Sequence, residues 1–190
     1  MWRFLLLSIF LMASNATKIE DLDGEWVSVA FYPTSAYAPA CPKYSISRKP
    51  EDPTCTCSNG KKFTSISISR FYVIDGKEFI SIDETNAGVI VVDTPEEIAS
   101  SLAATCKCGA KDADHGVVRV LNNNYFVIYS QEHSRRYTNS EPNTAYIFAK
   151  KVPVASKLAE FMSTIEDLKD RRGAILCSAE VYQMGVQNNN

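Results

Sequence analysis

The sequence predicts an all-β fold, an eight-stranded antiparallel up-and-down barrel with one C-terminal α-helix packed against its outside. Short strand-like runs follow one another through the middle of the chain, and turn signals separate them. The first run and the last two are apolar on both faces, whereas a strand with one wet face alternates apolar and polar residues. After Pro153 the apolar residues change to helical spacing.

The first predicted strand is GEWVSVAFY, residues 24–32, and a loop rich in proline is predicted after it over residues 33–53. Asn59-Gly60 and Asp75-Gly76 predict hairpin turns, because both residues of such a turn need a positive φ. Residues 84–88 predict a further turn. The other predicted strands are TCTC, TSISIS, EFISI, VIVV, VVRVL, YFVIYS and TAYIFAK.

Two segments predict helices. Thr94-Pro95-Glu96-Glu97 combines a capping residue, a proline at the first helical position and early acidic residues. Near the C-terminus, Ser156 can cap a longer helix, and Gly173 lies where that helix would stop. Its apolar positions are Leu158, Phe161, Met162, Ile165 and Leu168.

Closure of the barrel is predicted because the strands that are apolar on both faces are the first strand and the last two strands of the chain. Antiparallel strands in series must hide their edges, and a closed barrel does so completely. In such a barrel the first and last strands are neighbours, so one helix can cover their outer faces while their inner faces point into the barrel. An eight-stranded barrel has room for packed side chains or for one small ligand.

The N-terminus predicts a secretory signal peptide over residues 1–16, cleaved after Ala16. Its apolar core is about 10 residues long, whereas a membrane span needs about 20. The mature chain, residues 17–190, is predicted to be one secreted, extracellular domain. The net charge is −2 at pH 7, with lysines and arginines scattered, so no nucleic-acid partner, membrane surface or membrane span is predicted.

An even number of cysteines in a secreted chain predicts that all are paired in disulfides. A metal site is the alternative, but C-x-C spacing is not the usual zinc spacing and histidines are scarce, so no metal is predicted. The sequence leaves the pairing open. The six cysteines are Cys41, Cys55, Cys57, Cys106, Cys108 and Cys177.

Several of these features together resemble the lipocalin family. Gly24-Glu25-Trp26 in the first strand resembles the G-x-W motif of that family, and Lys150 lies where the family has an Arg or Lys. NNNYFVIYS takes the place of a T-D-x-x-Y stretch, and the terminal helix and late cysteine also match. The resemblance covers residues 22–177, and in style the sequence is similar to arthropod lipocalins. It departs from the pattern in lacking the T-D pair and in its extra cysteines.

The resemblance implies structural roles for the motif residues. Trp26 would plug the closed end of the barrel, with Lys150 over its ring in a cation–π contact. The family's usual arrangement implies a disulfide from Cys55 or Cys57 to Cys177. Cys106 and Cys108 would then pair with Cys41 and the remaining strand cysteine, which would rigidify the long segment over residues 93–114.

The longest loops, residues 33–53, 93–114 and 131–143, are predicted at one end of the barrel, which would be the mouth of a ligand cavity. A register slip of one residue exchanges inside for outside, so each candidate lining residue has an alternative as outer core beneath the helix. The candidates are Tyr32, Tyr37, Ile66, Ile68, Phe79, Val91, Val118, Phe126, Ile128 and Tyr146.

Polar residues at the mouth allow two interpretations. Arg135 and Arg136 could meet the carboxylates of a ligand, or they could belong to an ordinary solvated loop. His115 and His133 could in principle ligate haem, but loop histidines are more often exposed polar residues, so no cofactor is predicted.

The predicted function is extracellular binding and transport of a small hydrophobic ligand, such as a lipid, pigment, retinoid or odorant-like compound. The alternative is a secreted protein that binds or inhibits a protein partner through its mouth loops. The chain has no G-x-S-x-G, H-E-x-x-H or phosphate-loop motif, and an enzyme using a cavity thiol needs an unpaired cysteine. It is therefore predicted not to be an enzyme.

Overall fold

The computed structural model describes residues 19–34, 41–48, 54–74, 77–130 and 144–182, without the side chains of Glu20 and residues 72–87. The predicted signal peptide lies outside these residues. Within the described part of the chain, no helix combines the length and apolar character that a membrane span requires.

The described elements are eleven strands, two α-helices, a 3₁₀ turn over Ile19–Leu22 and a helical turn over residues 179–182. The helices are α1 (Glu96–Leu102) and α2 (Ala155–Thr164). The strands are β1 (Gly24–Tyr32), β2 (Lys43–Arg48), β3 (Cys55–Cys57), β4 (Lys62–Ile74), β5 (Lys77–Val92), β6 (Cys106–Cys108), β7 (Lys111–Ala113), β8 (His115–Asn122), β9 (Tyr125–Ser130), β10 (Thr144–Ala149) and β11 (Ala174–Ile175).

Seven of these strands close into a barrel, in the order β1-β10-β9-β8-β5-β4-β2 and back to β1. The prediction of a closed barrel is confirmed, but the number of strands is seven and not eight. The predicted adjacency of first and last strands is also confirmed, because β1 and β10 pair from Val27↔Ala149 to Tyr32↔Ala145. The barrel is not antiparallel throughout, since β5 and β8 pair in parallel from Gly88↔His115 to Val92↔Arg119.

The difference in strand number arises in β5. The predicted turn over residues 84–88 lies inside this strand, so the predicted strands EFISI and VIVV are one element. β5 pairs with β4 along its length, and a register shift absorbs the extra residues: Ile68 lies opposite Thr85, whereas Arg70 lies opposite Ser81. The segment over residues 93–114 then crosses back to start β8, which makes the β5–β8 pair parallel.

β2 lies inside the segment that the sequence predicts to be loop. Pro42 and Pro50 bracket the strand and do not interrupt it, so its backbone is free to pair with β1 on one side and β4 on the other. Its alternation places Tyr44 and Ile46 together in the interior of the barrel.

Every cysteine is in a disulfide, as predicted, but the pairing implied by the resemblance is wrong. Cys177 bonds Cys41, whereas Cys55 bonds Cys108 and Cys57 bonds Cys106. The reason is the pairing of β3 with β6, which sets Cys57 opposite Cys106. In a strand, residues two apart share a face, so two C-x-C strands in antiparallel register bring their sulfurs together in pairs.

Helix α2 packs outside the barrel, as predicted, with Leu158 fully buried and the ring centroids of Phe161 and Tyr125 4.2 Å apart. It begins after Val154 and not at Ser156, and the Ala155 N–H donates to the carboxylate of Glu180 at 3.1 Å. The helix ends at Thr164, before the predicted stop at Gly173. The last apolar positions, Ile165 and Leu168, are buried in the turns that follow.

Phe63 and the backbone of Asp114 lie close to Gly88 on the outer face of β5. A Cβ at this position would lie 2.4 Å from Cε2 of the buried Phe63 and 2.7 Å from the Asp114 carbonyl oxygen. Phe63 also stacks on His115, with ring centroids 6.1 Å apart. The absence of a side chain therefore lets this ring lie directly against the barrel wall.

We expect Gly88→Ala to lower the free energy of unfolding by about 1 to 3 kcal/mol, because the added methyl overlaps a ring and a backbone oxygen. Gly116→Ala is the matched control, since its Cβ would have ordinary contacts of 3.5 Å or more. Urea denaturation of both variants measures the difference. Equal effects would contradict the steric explanation.

Candidate functional site

Four aromatic side chains fill the closed end of the barrel. The ring centroids of Trp26 and Phe126 are 4.5 Å apart, those of Phe126 and Phe148 4.7 Å, and those of Tyr44 and Phe148 5.1 Å. We call Trp26, Tyr44, Phe126 and Phe148 the aromatic floor. The edge-to-face and stacked contacts among them are the arrangements that aromatic rings prefer. The floor leaves only the part of the barrel above it for a ligand.

Trp26 is held in place by two polar contacts. Its Nε1–H donates to the Leu22 carbonyl oxygen at 2.8 Å, so the 3₁₀ turn is tied beneath the floor. Lys150 Nζ lies 5.1 Å from the centroid of the Trp26 ring, the cation–π geometry implied by the G-x-W resemblance. Gly24, at the start of this strand, has φ 123°, a conformation that glycine adopts without strain. These residues build the closed end of the barrel.

A β-bulge in β1 decides which of its residues face the interior. The register shifts between Ser28 and Ala30, so Ser28 lies opposite Phe148 and Phe31 lies opposite Tyr146. Opposite partners share a face, and the rings of Phe31 and Tyr146 are stacked with centroids 6.1 Å apart. The bulge therefore changes inward positions from even to odd numbers.

The bulge places Tyr32 outside the barrel, which corrects its prediction as a lining residue. Its ring packs where a Cβ on Gly173 would lie 2.5 Å away, and the Arg171 guanidinium lies 5.6 Å from the ring centroid. Burial raises the pKa of the Tyr32 hydroxyl above its usual range. Tyr32 thus belongs to the outer core that holds the C-terminal segment.

Above the floor, three inward side chains have accessible surface although they lie in the middle of their strands. Ile68, Ile128 and Tyr146 belong to the inner cluster, and each is only half-buried. Hydrogen-bonded strands flank each of them on both sides. We infer that this accessible surface faces an open space in the interior of the barrel. We call this space the lumen.

The described residues around the lumen are mostly apolar, with one cation among them. Arg70 shares the inner face of β4 with Ile68, and its guanidinium lies 5.6 Å from the centroid of the Tyr44 ring. A Cβ on Gly116 would lie 3.6 Å from Ile128 Cγ2, so the missing side chain leaves room beside that isoleucine. Ser28 supplies a hydroxyl, but its Oγ is buried and has no hydrogen-bond partner among the described residues. The lumen thus offers isoleucine and tyrosine surface with one guanidinium beside it, which suits a mainly apolar molecule.

The structure brings most of the predicted lining residues together. Phe79 lies in β5, but its side chain is outside the described part, as is the whole of Tyr37. The mouth residues His133, Arg135 and Arg136 also lie outside the described residues. The predicted residues found in the inner cluster are Ile66, Ile68, Val91, Val118, Phe126, Ile128 and Tyr146.

His115, considered as a haem ligand, lies away from this cluster. Its Nε2 is 2.6 Å from the Ser101 carbonyl oxygen at the end of α1, and its ring stacks on Phe63 in the outer core. This histidine joins the crossover segment to the barrel wall.

The sequence prediction missed several interior residues, chiefly Tyr44, Ile46 and Phe148. Tyr44 and Ile46 were missed because β2 was predicted as loop. The signal that identifies them is the alternation of apolar and polar residues in KYSISR. Phe148 lies in a predicted strand, two residues along from Tyr146 on the same face.

No protein-family model matches the chain, and a search of curated proteins finds no match either. The structure itself shows a β-barrel with three disulfides, which is consistent with a lipocalin-like fold.

Proposed function

We propose that this protein is a lipocalin-like carrier, which binds a small hydrophobic molecule in the lumen and transports it outside the cell. The observation that carries the proposal is the accessible inward surface of Ile68, Ile128 and Tyr146 in the middle of their strands. Transfer of a ligand's apolar surface from water to such a lumen contributes about 25 cal/mol per Å². The G-x-W tripeptide and Lys150, in contact at the closed end, support the lipocalin-like assignment.

The aromatic floor limits the size of the ligand. Because Trp26, Phe126 and Phe148 are buried against one another, a molecule that enters from the opposite end stops at their rings. A compact molecule with one or two rings, or a short chain, suits this space better than a long lipid threaded through the barrel. Tyr146 offers a ring for stacking at the level where the ligand would lie.

Transport outside the cell is supported by the disulfides. Three disulfides that involve all six cysteines are typical of proteins that mature in an oxidising compartment. They reinforce the barrel without using its interior, because the cysteines belong to the outer core and its margin.

The neutral fluorescent probe N-phenyl-1-naphthylamine tests the proposal. We expect wild-type protein to bind it and Ile128→Trp to weaken binding tenfold or more, because the indole occupies the lumen. Val154→Trp is the matched control, since Val154 is 47% exposed on the surface. Gly116→Leu fills the same space from the neighbouring strand, and circular dichroism checks that each variant is folded.

Equal probe affinity for Ile128→Trp, Gly116→Leu and the control would rule out the lumen as the binding site. Native mass spectrometry of protein purified from its source, followed by organic extraction, identifies the natural ligand. A retained apolar compound supports the carrier proposal.

The filled floor favours one second candidate, a protein that acts on a protein partner through its mouth loops. A barrel whose closed end is filled by its own aromatic rings has less room for a ligand. Wild-type protein that binds no apolar probe and retains no compound on purification would favour this candidate over the carrier.

A further inference from the structure

One inward position of β1 carries a hydroxyl where its inward neighbours carry rings. The inward side chains of this strand are Trp26, Ser28 and, after the bulge, Phe31. Ser28 is 1% exposed, and its Oγ is the single buried side-chain oxygen or nitrogen that lacks a hydrogen-bond partner among the described residues. Polar atoms of this kind are rare in folded proteins, and they occur at functional sites.

The pairing of β1 with β10 directs this hydroxyl into the barrel. Ser28 lies opposite Phe148, and residues that lie opposite each other share a face of the sheet. Phe148 belongs to the aromatic floor. Ser28 is also the next inward residue after Trp26, another member of the floor. The hydroxyl therefore lies at the boundary between the aromatic floor and the lumen.

The neighbours of Ser28 explain why the hydroxyl has no partner in the described part of the chain. The Ser28 N–H donates to the Pro42 carbonyl oxygen at 3.1 Å, so that oxygen already accepts a hydrogen bond. Trp26 Nε1–H donates to the Leu22 carbonyl oxygen beneath the floor. Phe148, directly opposite, has no polar side-chain atom. A molecule in the lumen can supply the partner that these residues do not.

Serine at this position makes the barrel less stable than alanine would. The two side chains differ by one oxygen atom, so alanine occupies the same space and leaves no polar atom unpaired. A residue that breaks a packing rule without a gain to the fold is expected where the site serves a function. The stability of the fold therefore does not account for Ser28, whereas ligand binding does.

We propose that the Ser28 hydroxyl forms a hydrogen bond with the ligand, and that the preferred ligand is a compact, neutral, apolar molecule with one hydroxyl or carbonyl oxygen at its inner end. The inference rests on the proposed carrier function and adds the chemical class and orientation of the ligand. The apolar body of the ligand contacts Ile128 and Tyr146. A charged group would lose its hydration beside the floor and gain no opposite charge from Ser28.

Binding at Ser28 requires one side chain to turn aside, because its neighbours cover the Oγ atom. Tyr146 lies opposite Phe31, the inward residue that follows Ser28. The Tyr146 side chain is only half-buried, so it has space in the lumen to turn into. The polar end of the ligand then lies against the hydroxyl, and the Tyr146 ring lies against the apolar body.

Naphthalene and 2-naphthol, which differ by one hydroxyl, test the inference by displacement of N-phenyl-1-naphthylamine, with the probe affinity measured for each variant. We expect Ser28→Ala to weaken 2-naphthol binding about five- to tenfold, because one hydrogen bond is lost, and to leave naphthalene binding within about twofold. Ser67→Ala is the matched control and should change neither affinity. Ser67 is a buried serine of β4, 4% exposed, on the opposite face of the strand from Ile66 and Ile68.

Thermal unfolding without ligand gives a second readout. Ser28→Ala should unfold about 2 to 4 °C above wild type, because the variant removes a buried hydroxyl that has no partner. A lower unfolding temperature than wild type would overturn the inference, since the hydroxyl would then be bonded within the folded chain. Circular dichroism checks that both serine variants are folded.

The binding results separate this inference from the carrier function. If wild type binds both compounds but Ser28→Ala weakens both equally or neither, the inference fails and the carrier function stands. The charged analogue 2-naphthoate tests the neutral class, because the Arg70 guanidinium lies over the Tyr44 ring at the floor. Tighter binding of 2-naphthoate than of 2-naphthol by wild type would overturn the neutral class. If wild type binds none of these compounds, the carrier function fails and the inference fails with it.

Discussion

Replacing Cys41 and Cys177 together by serine should lower the free energy of unfolding by about 4 to 5 kcal/mol. The disulfide between them closes a loop of 136 residues, the longest of the three. A cross-link that closes a long loop removes the most conformational freedom from the unfolded chain. Urea denaturation followed by circular dichroism gives the free energy and the slope for comparison with wild type.

The matched control is the pair Cys55→Ser and Cys108→Ser, for which we expect a loss of about 2 kcal/mol. Its disulfide spans 53 residues, but the bond between Cys57 and Cys106 spans 49 of the same residues and remains in place. The unfolded chain of this variant therefore gains little freedom. A loss equal to that of the first variant would contradict the loop-closure explanation.

Asp167→Ala should destabilise the protein by about 2 to 4 kcal/mol. The Asp167 carboxylate accepts hydrogen bonds from Arg119 Nη1 at 2.5 Å and from the Tyr129 hydroxyl. Arg119 keeps 18% of its side chain exposed, and Tyr129 is almost fully buried. Removal of the carboxylate leaves a guanidinium and a hydroxyl in the outer core without this partner. Thermal and urea unfolding measure the loss.

Glu166→Ala is the control for this second prediction, because the neighbouring carboxylate is 76% exposed and lies 3.6 Å from Lys169 Nζ. Exposed ion pairs contribute little, so we expect a change within about 0.5 kcal/mol. In the wild type, burial and the hydrogen bond to Asp167 raise the pKa of Tyr129 above its usual range. If Asp167→Ala costs no more than Glu166→Ala, the buried carboxylate does not hold the C-terminal segment to the barrel.

Closure of the barrel and the position of α2 could be predicted because both require apolar residues on the two faces of the strands involved. β1, β9 and β10 are apolar on both faces, since one face meets the aromatic floor and lumen and the other meets the outer core. Such strands have no wet face, which constrains what lies on either side of them. The prediction of most inner residues followed from the same pattern.

The strand number could not be predicted, because it depends on tertiary pairing. β2 is short and carries polar residues, and its burial comes from β1 and β4 on its two sides. The residues DETNAG read as a turn, yet pairing with β4 holds them extended within β5. In both segments, hydrogen-bonded pairing with neighbouring strands overrides the local conformational preference.

Tyr32 and the disulfides illustrate two further limits of the prediction. The bulge between Ser28 and Ala30 moves Tyr32 to the outer face, and alternation alone does not reveal an extra residue. The family arrangement implies the wrong disulfide pairing, whereas the spacing of the two C-x-C tripeptides is compatible with the observed one. Each has its sulfurs on one face of a strand, so pairing of CTC with CKC is the simplest arrangement.

The disulfide from Cys41 to Cys177 also determines how the protein responds to proteolysis. A single cut anywhere between these two residues leaves both pieces covalently joined. An electrophoresis gel of the cleaved protein should therefore show one band without reductant and two bands with it. In any oxidising compartment, where the disulfide persists, a nicked copy therefore keeps its two pieces together.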